Sequence, residues 1–299
     1  MLHEIRSRTD WRMALKETQL TPDLIYFHFS IRQEMEAKFP ESPIRVFTYP
    51  EHGTKKYWFM LKDNLFIDAY CMVAHVPSTS FIADEFIECL REFRLRALGC
   101  MGSERPHLMI GKEKLVKLYS GLMKKHTSTL VAEDLCLNLF YMTRDQEQLT
   151  LQVDPKVPIG YEESEISPYE EAELVNSTWK FAKDGDIEQT ATKLARLPSA
   201  CIRYNGEPVA FEMLDPAGFF NNQFVFEDHR RKGLGTAVEL MLAQKCIRNQ
   251  MTPYKTVYRG NKIVLEHSCK SPLWSRWEEN GQPVTVIFQT WTNEANDSA

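Results

Sequence analysis

The ten residues FEDHRRKGLG, at 226–235, set three consecutive cations, Arg230, Arg231 and Lys232, against two glycines that flank a leucine. On the carboxyl-terminal side, Leu234, Ala237, Val238, Met241 and Leu242 recur with the period of a helix that has one apolar stripe. On the amino-terminal side, Gln223, Phe224, Val225 and Phe226 form a short, partly aromatic run suited to a strand. The segment is therefore a strand-to-helix turn. The first N–H groups of a helix have no partner within it, and the macrodipole adds about half a positive charge there. Gly233 and Gly235 carry no side chain, so a bulky anion can approach those N–H groups closely while the three cations add charge. The chemistry implied is phosphate or pyrophosphate binding by Arg230, Arg231, Lys232, Gly233 and Gly235, within a ligand-binding segment that also takes in Gln223, Phe224, Val225, Leu234 and Thr236.

Neither G-x-x-x-x-G-K-[S/T] nor the dinucleotide spacing G-x-G-x-x-G describes this loop. Arg230, Gly233 and Gly235 instead form R-x-x-G-x-G, with the apolar Val225 ahead of the arginine. That pattern resembles the acyl-CoA pyrophosphate loop of the GNAT acyltransferase superfamily. A second R-x-x-G, in RALGCMG at 96–102, has Met101 where glycine or alanine is needed and follows a helical pattern, so Gly99 reads there as a helix terminator.

Further stretches resemble the glycine N-acyltransferase family within that superfamily. VNSTWKF at 175–181 looks like its V-N-x-x-W-x-F helix, and PSACIRYNGEPVAFEMLDPAG at 198–218 is similar to its hairpin leading into a D-x-x-G turn. PLWSRW matches its W-x-x-W through Trp274 and Trp277. The likeness covers residues 157–280; over the first 150 it is one of length and layout. It implies transfer of an acyl group from acyl-CoA to the amine of glycine or another small amino acid, by direct attack on the thioester. Such chemistry needs a base for the ammonium, donors for the oxyanion and an exit for the thiolate, but no covalent enzyme intermediate.

Two positions depart from the resemblance. The family places a catalytic glutamate directly after the glycine of the D-x-x-G turn, where this chain has Phe219. Counting seven residues from Asn261 to the tyrosine used elsewhere in the superfamily reaches Ser268. Asn261, on the next strand-to-helix turn, is carried with the coenzyme-binding residues. Among substitute bases Glu212 ranks first, because Phe211 and Met213 project to the opposite face of its strand and a carboxylate in a central strand is costly unless solvated or paired. The alternative for Glu212 is an outward-facing strand carboxylate. Glu227, where strand passes into loop, ranks second, with pairing to Arg230 or Arg231 as its plainer reading. His229 and His267 have suitable ordinary acidity, though His229 lies within the anion loop.

The elements that must position these residues follow from periodicity and punctuation. In the first half a helix is expected over 24–38, a strand over Ile44 to Tyr49, two strands over 56–74 joined at Asp63-Asn64, a helix over 81–98 ending at Gly99, and a strand near 135–142. Residues 144–168 lose apolar density and carry Pro155, Pro158, Pro168 and the acidic run EESE, read as a solvated linker face. The domains expected are thus 1–152, an amino-terminal acyltransferase-like domain, and 153–299, the acyl-CoA-binding domain. A helix capped by Ser167 with Pro168 in first position and a hairpin at Asn205-Gly206 follow. The fold class is α/β (α+β layered), a mixed sheet flanked by helices.

Composition narrows the partners. With 36 Lys plus Arg against 41 Asp plus Glu, no global field draws the chain to nucleic acid or anionic membrane, and no apolar run has membrane-spanning length. Seven cysteines without a C-x-x-C pair signal neither a disulfide framework nor a zinc site, and fit a reducing compartment. Acyl-CoA as co-substrate, a small amine acceptor and no metal are expected. The resemblance implies mitochondrial localisation, whereas MLHEIRSRTDWRMALK, with Glu4 and Asp10, has a poor presequence composition and leaves cytoplasm as the alternative. Two other readings stay open: a transferase for another amine or a peptide terminus, and, given Phe219, a non-catalytic acyl-CoA-binding protein.

Overall fold

A computed structural model describes residues 1–293 apart from Leu20, Thr54, Ser78, Ser80, Ser103, Glu104, Ser128, Lys180, Phe181 and Asp184. Lys180 and Phe181 fall in VNSTWKF, so the end of that stretch lies outside the described residues. The chain forms two compact units: Met1–Asn138 with Tyr258–Gly260 and Glu278–Ala299, and Leu139–Val257 with Asn261–Trp277. Where composition places the boundary after residue 150, the units part at 138/139, inside a strand, and the last strand belongs to the first unit. Strand membership follows hydrogen-bond partners, which composition does not report.

The first unit contains, in order, β1 (His3–Glu4), α1 (Arg8–Glu17), α2 (Ile25–Met35), β2 (Ile44–Tyr49), β3 (Tyr57–Asn64), β4 (Ala69–His75), α3 (Ala83–Leu98), β5 (His107–Lys112), α4 (Glu113–Met123) and most of β6 (Leu130–Tyr141). The second holds α5 (Arg144–Gln152), β7 (Tyr161–Ser164), α6 (Ala172–Ser177), α7 (Asp186–Arg196), β8 (Ser199–Tyr204), β9 (Glu207–Leu214), β10 (Phe220–Val225), α8 (Leu234–Arg248), β11 (Tyr254–Tyr258), α9 (Lys262–Lys270) and β12 (Ser275–Arg276). The first unit is then completed by the two-stranded pair β13 (Glu278–Glu279) and β14 (Gln282–Pro283), and by β15 (Thr285–Asn293).

In the first unit the strands run in the order β1-β2-β3-β4-β5-β15-β6, antiparallel except for β4 beside β5. Its core stacks Phe59 on Phe86 and Phe93, with Phe47, Met109, Tyr119 and Trp291 around them. The expected turn at Asp63-Asn64 is displaced. Both residues pair within the ladder, Asn64 opposite Ala69, and the chain reverses over 65–68 with Asn64 Oδ1 accepting from the Phe66 N–H. Helix α3 ends where its glycine predicts, Gly99 taking a φ of 76°.

The second unit orders its strands β11-β10-β9-β8-β7, with β10 parallel to β11 and the rest antiparallel. Asn205 and Gly206, at φ 52° and 86°, make the mirror-image turn that matches strand twist between β8 and β9. Ala172, Val175 and Leu194 of α6 and α7 pack on Cys201, Phe211 and Met213. Alternation along β9 then turns Glu212 to the opposite face, under α8. There Gln244 Nε2 donates to the carbonyls of Thr150 (3.0 Å) and Val153 (2.7 Å), tying α8 to α5.

Three expectations for this half change. The helix after Ser167 begins at Ala172, because Ser167 donates through its N–H to Glu171 and through Oγ to Glu170, forming a turn ahead of the helix. The acidic run is part of edge strand β7, Glu162 and Glu163 pairing with Arg203 and Ile202. Helices α5 and α7 stand where none was expected; α5 starts with a reciprocal cap between Thr143 and Gln146 that lies in a polar sequence.

Candidate functional site

The strand-to-helix turn is built as its residues predict. After β10 a single 3-10 turn, Glu227–His229, leads to Arg231 at φ 61° and Gly233 at φ 82°, and α8 begins at Leu234. Arg230 Nε donates to the Val225 carbonyl at 2.9 Å, pinning the loop to the strand end. Gly233 offers no side-chain cap, so the first-turn N–H groups of α8 face outward beside exposed Arg230 and Arg231. The two glycines serve different ends. Gly233 supplies left-handed backbone, whereas a Cβ on Gly235 would lie 3.6 Å from Val225 Cγ2 and 3.8 Å from Gln223 Oε1, so a long side chain there would fill the approach.

Lys232 is used differently from expectation. Its Nζ donates to the Tyr161 hydroxyl at 2.8 Å and to the Asp228 carbonyl at 3.1 Å. Tyr161 also meets His229 Nδ1 at 2.9 Å, with Tyr204 packed against both rings. The cation and the imidazole are thereby held toward edge strand β7. Composition could not place Tyr161, because its neighbours in sequence are acidic and polar.

Strand β10 is irregular where chemistry would be expected. Asn221 stands opposite Met213 and Phe224 opposite Phe211, so Asn222 and Gln223 together face Glu212 in a bulge. Asn222 adopts φ 50° and sends its Nδ2 to the Val175 carbonyl at 3.0 Å. Gln223 turns the other way, its Nε2 donating to Glu212 Oε2 at 3.2 Å and to the Gly235 carbonyl at 3.1 Å. Among the described residues, the pairing of β10 with β11 is confined to Phe220 opposite Lys255. Beyond Phe220 the edge of β10 leaves its neighbour, and a wedge opens toward the glycine start of α8. In the first unit the corresponding parallel pair stays joined from Tyr70 opposite His107 through Val73 opposite Ile110.

Beneath the wedge lies a buried charged group. Glu239 of α8 meets Lys255 Nζ at 2.5 Å and accepts from Trp274 Nε1 at 2.8 Å, while the Lys255 ammonium sits 4.4 Å from the centre of the Trp274 ring. Glu212 is 4% exposed. Burial, reinforced by the negative charge of Glu239, raises its pKa well above the ordinary carboxylate value, against the opposing pull of Lys255 and the Gln223 hydrogen bond. Glu212 is therefore the buried carboxyl with the bulge opposite it, and burial favours its protonated form. Lys255 and Glu239 were not singled out by sequence reasoning, although a lysine inside the strand YKTVY and a glutamate amid the apolar residues of α8 are both charges in otherwise buried runs.

The other candidates fall elsewhere. Glu227 is exposed in the turn, and among the described residues its carboxylate makes no ion pair with Arg230 or Arg231. His267 is exposed in the last turn of α9. Asn261 caps α9, its Oδ1 accepting from the Val264 N–H at 3.3 Å. Ser268 is fully buried with no hydrogen-bond partner for its hydroxyl. The Phe219 ring packs edge-on against Tyr254, centroids 6.2 Å apart. Burial pushes the Cys246 thiol upward, away from thiolate chemistry. Among the described residues no cluster of His, Cys, Asp and Glu could hold a metal, and no helix is long and apolar enough to cross a membrane.

No protein-family model matches the sequence. Solved structures do match the fold. A Drosophila protein superposes at a TM-score of 0.76 with 13% identity, covering 97% of each chain. A tandem GNAT protein from the clavulanic acid biosynthesis pathway aligns at 0.52 with 12% identity over 98% of each chain. A GCN5-related N-acetyltransferase from Sphaerobacter thermophilus aligns at 0.52 with 9% identity, covering 98% of this chain and 95% of its own. At such identities the likeness speaks for architecture alone: along almost its whole length, the chain shares the fold of these GNAT proteins.

Proposed function

We propose that the second unit transfers an acyl group from acyl-CoA to an amine, with glycine or a similarly small amino acid as acceptor. The observation that carries this is the uncapped glycine start of α8 at the mouth of the wedge between β10 and β11. The coenzyme pyrophosphate would sit on the N–H groups of residues 234–236, with Arg230 and Arg231 beside it. The rest of the coenzyme would lie along the open edge of β10, bringing the thioester to the bulge at Asn222 and Gln223. A bulge re-aims backbone donors, and donors fixed where negative charge develops stabilise a tetrahedral oxyanion. The amine nitrogen attacks the carbonyl carbon, the C–N bond forms, and the C–S bond breaks to release the thiolate.

Glu212 takes the proton-transfer role in this reading. As the base, it must first lose the proton that burial favours, so acyl transfer would rise with pH through an elevated midpoint. As the acid that protonates the thiolate, it would lose activity over the same interval. Phe219, packed where the resemblance expects a carboxylate, favours a second reading, acyl-CoA binding without turnover.

The test is incubation of the purified protein with acetyl-CoA and benzoyl-CoA against a panel of amino acids, following free thiol and acylated product together. Amino-acid-dependent thiol release that is lost in Gly235→Trp supports the transferase. Coenzyme binding with no acylated product from any amine supports the second reading, and absence of coenzyme binding overturns both.

A further inference from the structure

We propose that Tyr161, on edge strand β7, is a positioning residue for the loop ahead of α8: its hydroxyl staples His229 to Lys232 and so holds Arg230 and Arg231, which lie between them, beside the start of the helix. The inference rests on the acyl-CoA reading of that loop and adds the residue that keeps it in its receiving form.

The Tyr161 oxygen lies 2.8 Å from Lys232 Nζ and 2.9 Å from His229 Nδ1. An ammonium can only donate, so the oxygen accepts from Lys232 and its O–H donates to Nδ1, with the imidazole proton on Nε2. One hydroxyl is thus bonded to the residues on either side of the two arginines. The rings complete the clasp. His229 meets Tyr161 edge-on, centroids 5.6 Å apart and planes at 87°, and Tyr204, opposite Tyr161 in the β7–β8 ladder, packs on both.

The loop has a conformation that must be held. At its start the Phe226 N–H donates to the Val209 carbonyl and Arg230 Nε to the Val225 carbonyl; at its end the Gly233 carbonyl accepts from the Ala237 N–H and α8 begins. Between these anchors Arg231 takes a φ of 61°. That left-handed conformation costs free energy for a residue with a Cβ and persists only where its surroundings hold it. Lys232 follows directly, and among the described residues its ammonium is committed to neutral acceptors, the Tyr161 hydroxyl and the Asp228 carbonyl, rather than to a carboxylate. Its hydrogen bonds therefore fix backbone. A loop ordered before its ligand arrives binds more tightly, since less ordering remains to be done on association.

Calorimetric titration of the full chain with CoA, together with amide exchange of the unliganded chain, tests this. Tyr161→Phe keeps every cation and the ring packing and removes one oxygen. It should weaken CoA about fivefold, the scale of losing one or two hydrogen bonds, with the fold intact by circular dichroism. Exchange over 227–233 should quicken in the free variant while the interior of α8 keeps its protection. Lys232→Met should cost about as much as Tyr161→Phe, and the double variant less than about twofold more, because both changes remove the same clasp. Independent effects that multiply would make Lys232 a direct phosphate ligand and overturn the proposal. In acyl transfer the loss should fall on the KM for acyl-CoA, with kcat within about twofold of the parent. Tyr161→Phe binding CoA as tightly as the parent, or exchanging no faster over 227–233, overturns the positioning role; CoA binding by the parent then leaves the acyl-CoA reading standing. Failure of CoA to bind the parent removes both.

Discussion

Replacing Lys255 by methionine removes an ammonium from the second unit while keeping much of its stem volume. The side chains of Lys255 and Glu239 are 6% and 14% exposed, so neither charge is much relieved by solvent. Removing one partner of a buried pair typically costs about 3–5 kcal/mol, because the other charge stays buried and uncompensated. Glu239 would retain the Trp274 indole N–H, and the expected loss is therefore near the lower end, about 3 kcal/mol. Glu212 deepens the effect, since without the ammonium two carboxyl groups share the same buried space. Urea unfolding followed by tryptophan fluorescence measures the loss. It should narrow in mildly acidic buffer, where a lone buried carboxylate can relieve its cost by taking up a proton. Lys255→Met combined with Glu239→Gln should recover most of it, because a buried pair removed as a whole is often close to neutral. A single variant losing less than about 1 kcal/mol, or a double variant no more stable than the single, would refute the account of this cluster.

Glu212→Gln carries a pH signature. The folded-state pKa of Glu212 lies above its unfolded value, so the stability it contributes is full below the unfolded pKa and is lost as pH rises through the folded one. Glutamine mimics the protonated carboxyl, and the melting temperature of the variant relative to the parent should increase as pH rises; a pH-independent difference would contradict the assignment. Gly235→Ala should hold CoA affinity within about threefold, because its Cβ meets Val225 and Gln223 at ordinary contact distance, whereas Gly235→Trp should weaken it about tenfold or more, both read by calorimetry. Gly206→Ala, at a φ of 86° in the β8–β9 turn, should cost about 1–2 kcal/mol in the same unfolding assay, and a neutral result would show that the turn relaxes to another conformation.

Much of the loop was legible in the sequence. Three cations, two glycines and an apolar period are contiguous, and each reports backbone that its own residues dictate. The Asn205-Gly206 turn, the Gly99 terminus of α3, strand Ile44–Tyr49 and the stripe on α8 were readable for the same reason. Lys232 shows the limit of that reading, since its direction is set by Tyr161, far away in the chain. The missed helix α7 lies in a sequence whose polar and charged residues are partly buried by tertiary packing, Gln189, Thr190 and Lys193 among them.

By itself, then, the sequence determined a glycine-bearing strand-to-helix turn and the local elements around it, because positive φ, helix capping and amphipathic period are properties of neighbouring residues. Tertiary structure alone decided that Asn222 and Gln223 both oppose Glu212, that among the described residues β10 and β11 pair only at Phe220 and Lys255, and that Glu239 and Trp274 close on that lysine. It also decided that β15 enters the first unit's sheet between β5 and β6. Register and burial join residues tens to hundreds of positions apart, and their energies depend on partners that no local window contains.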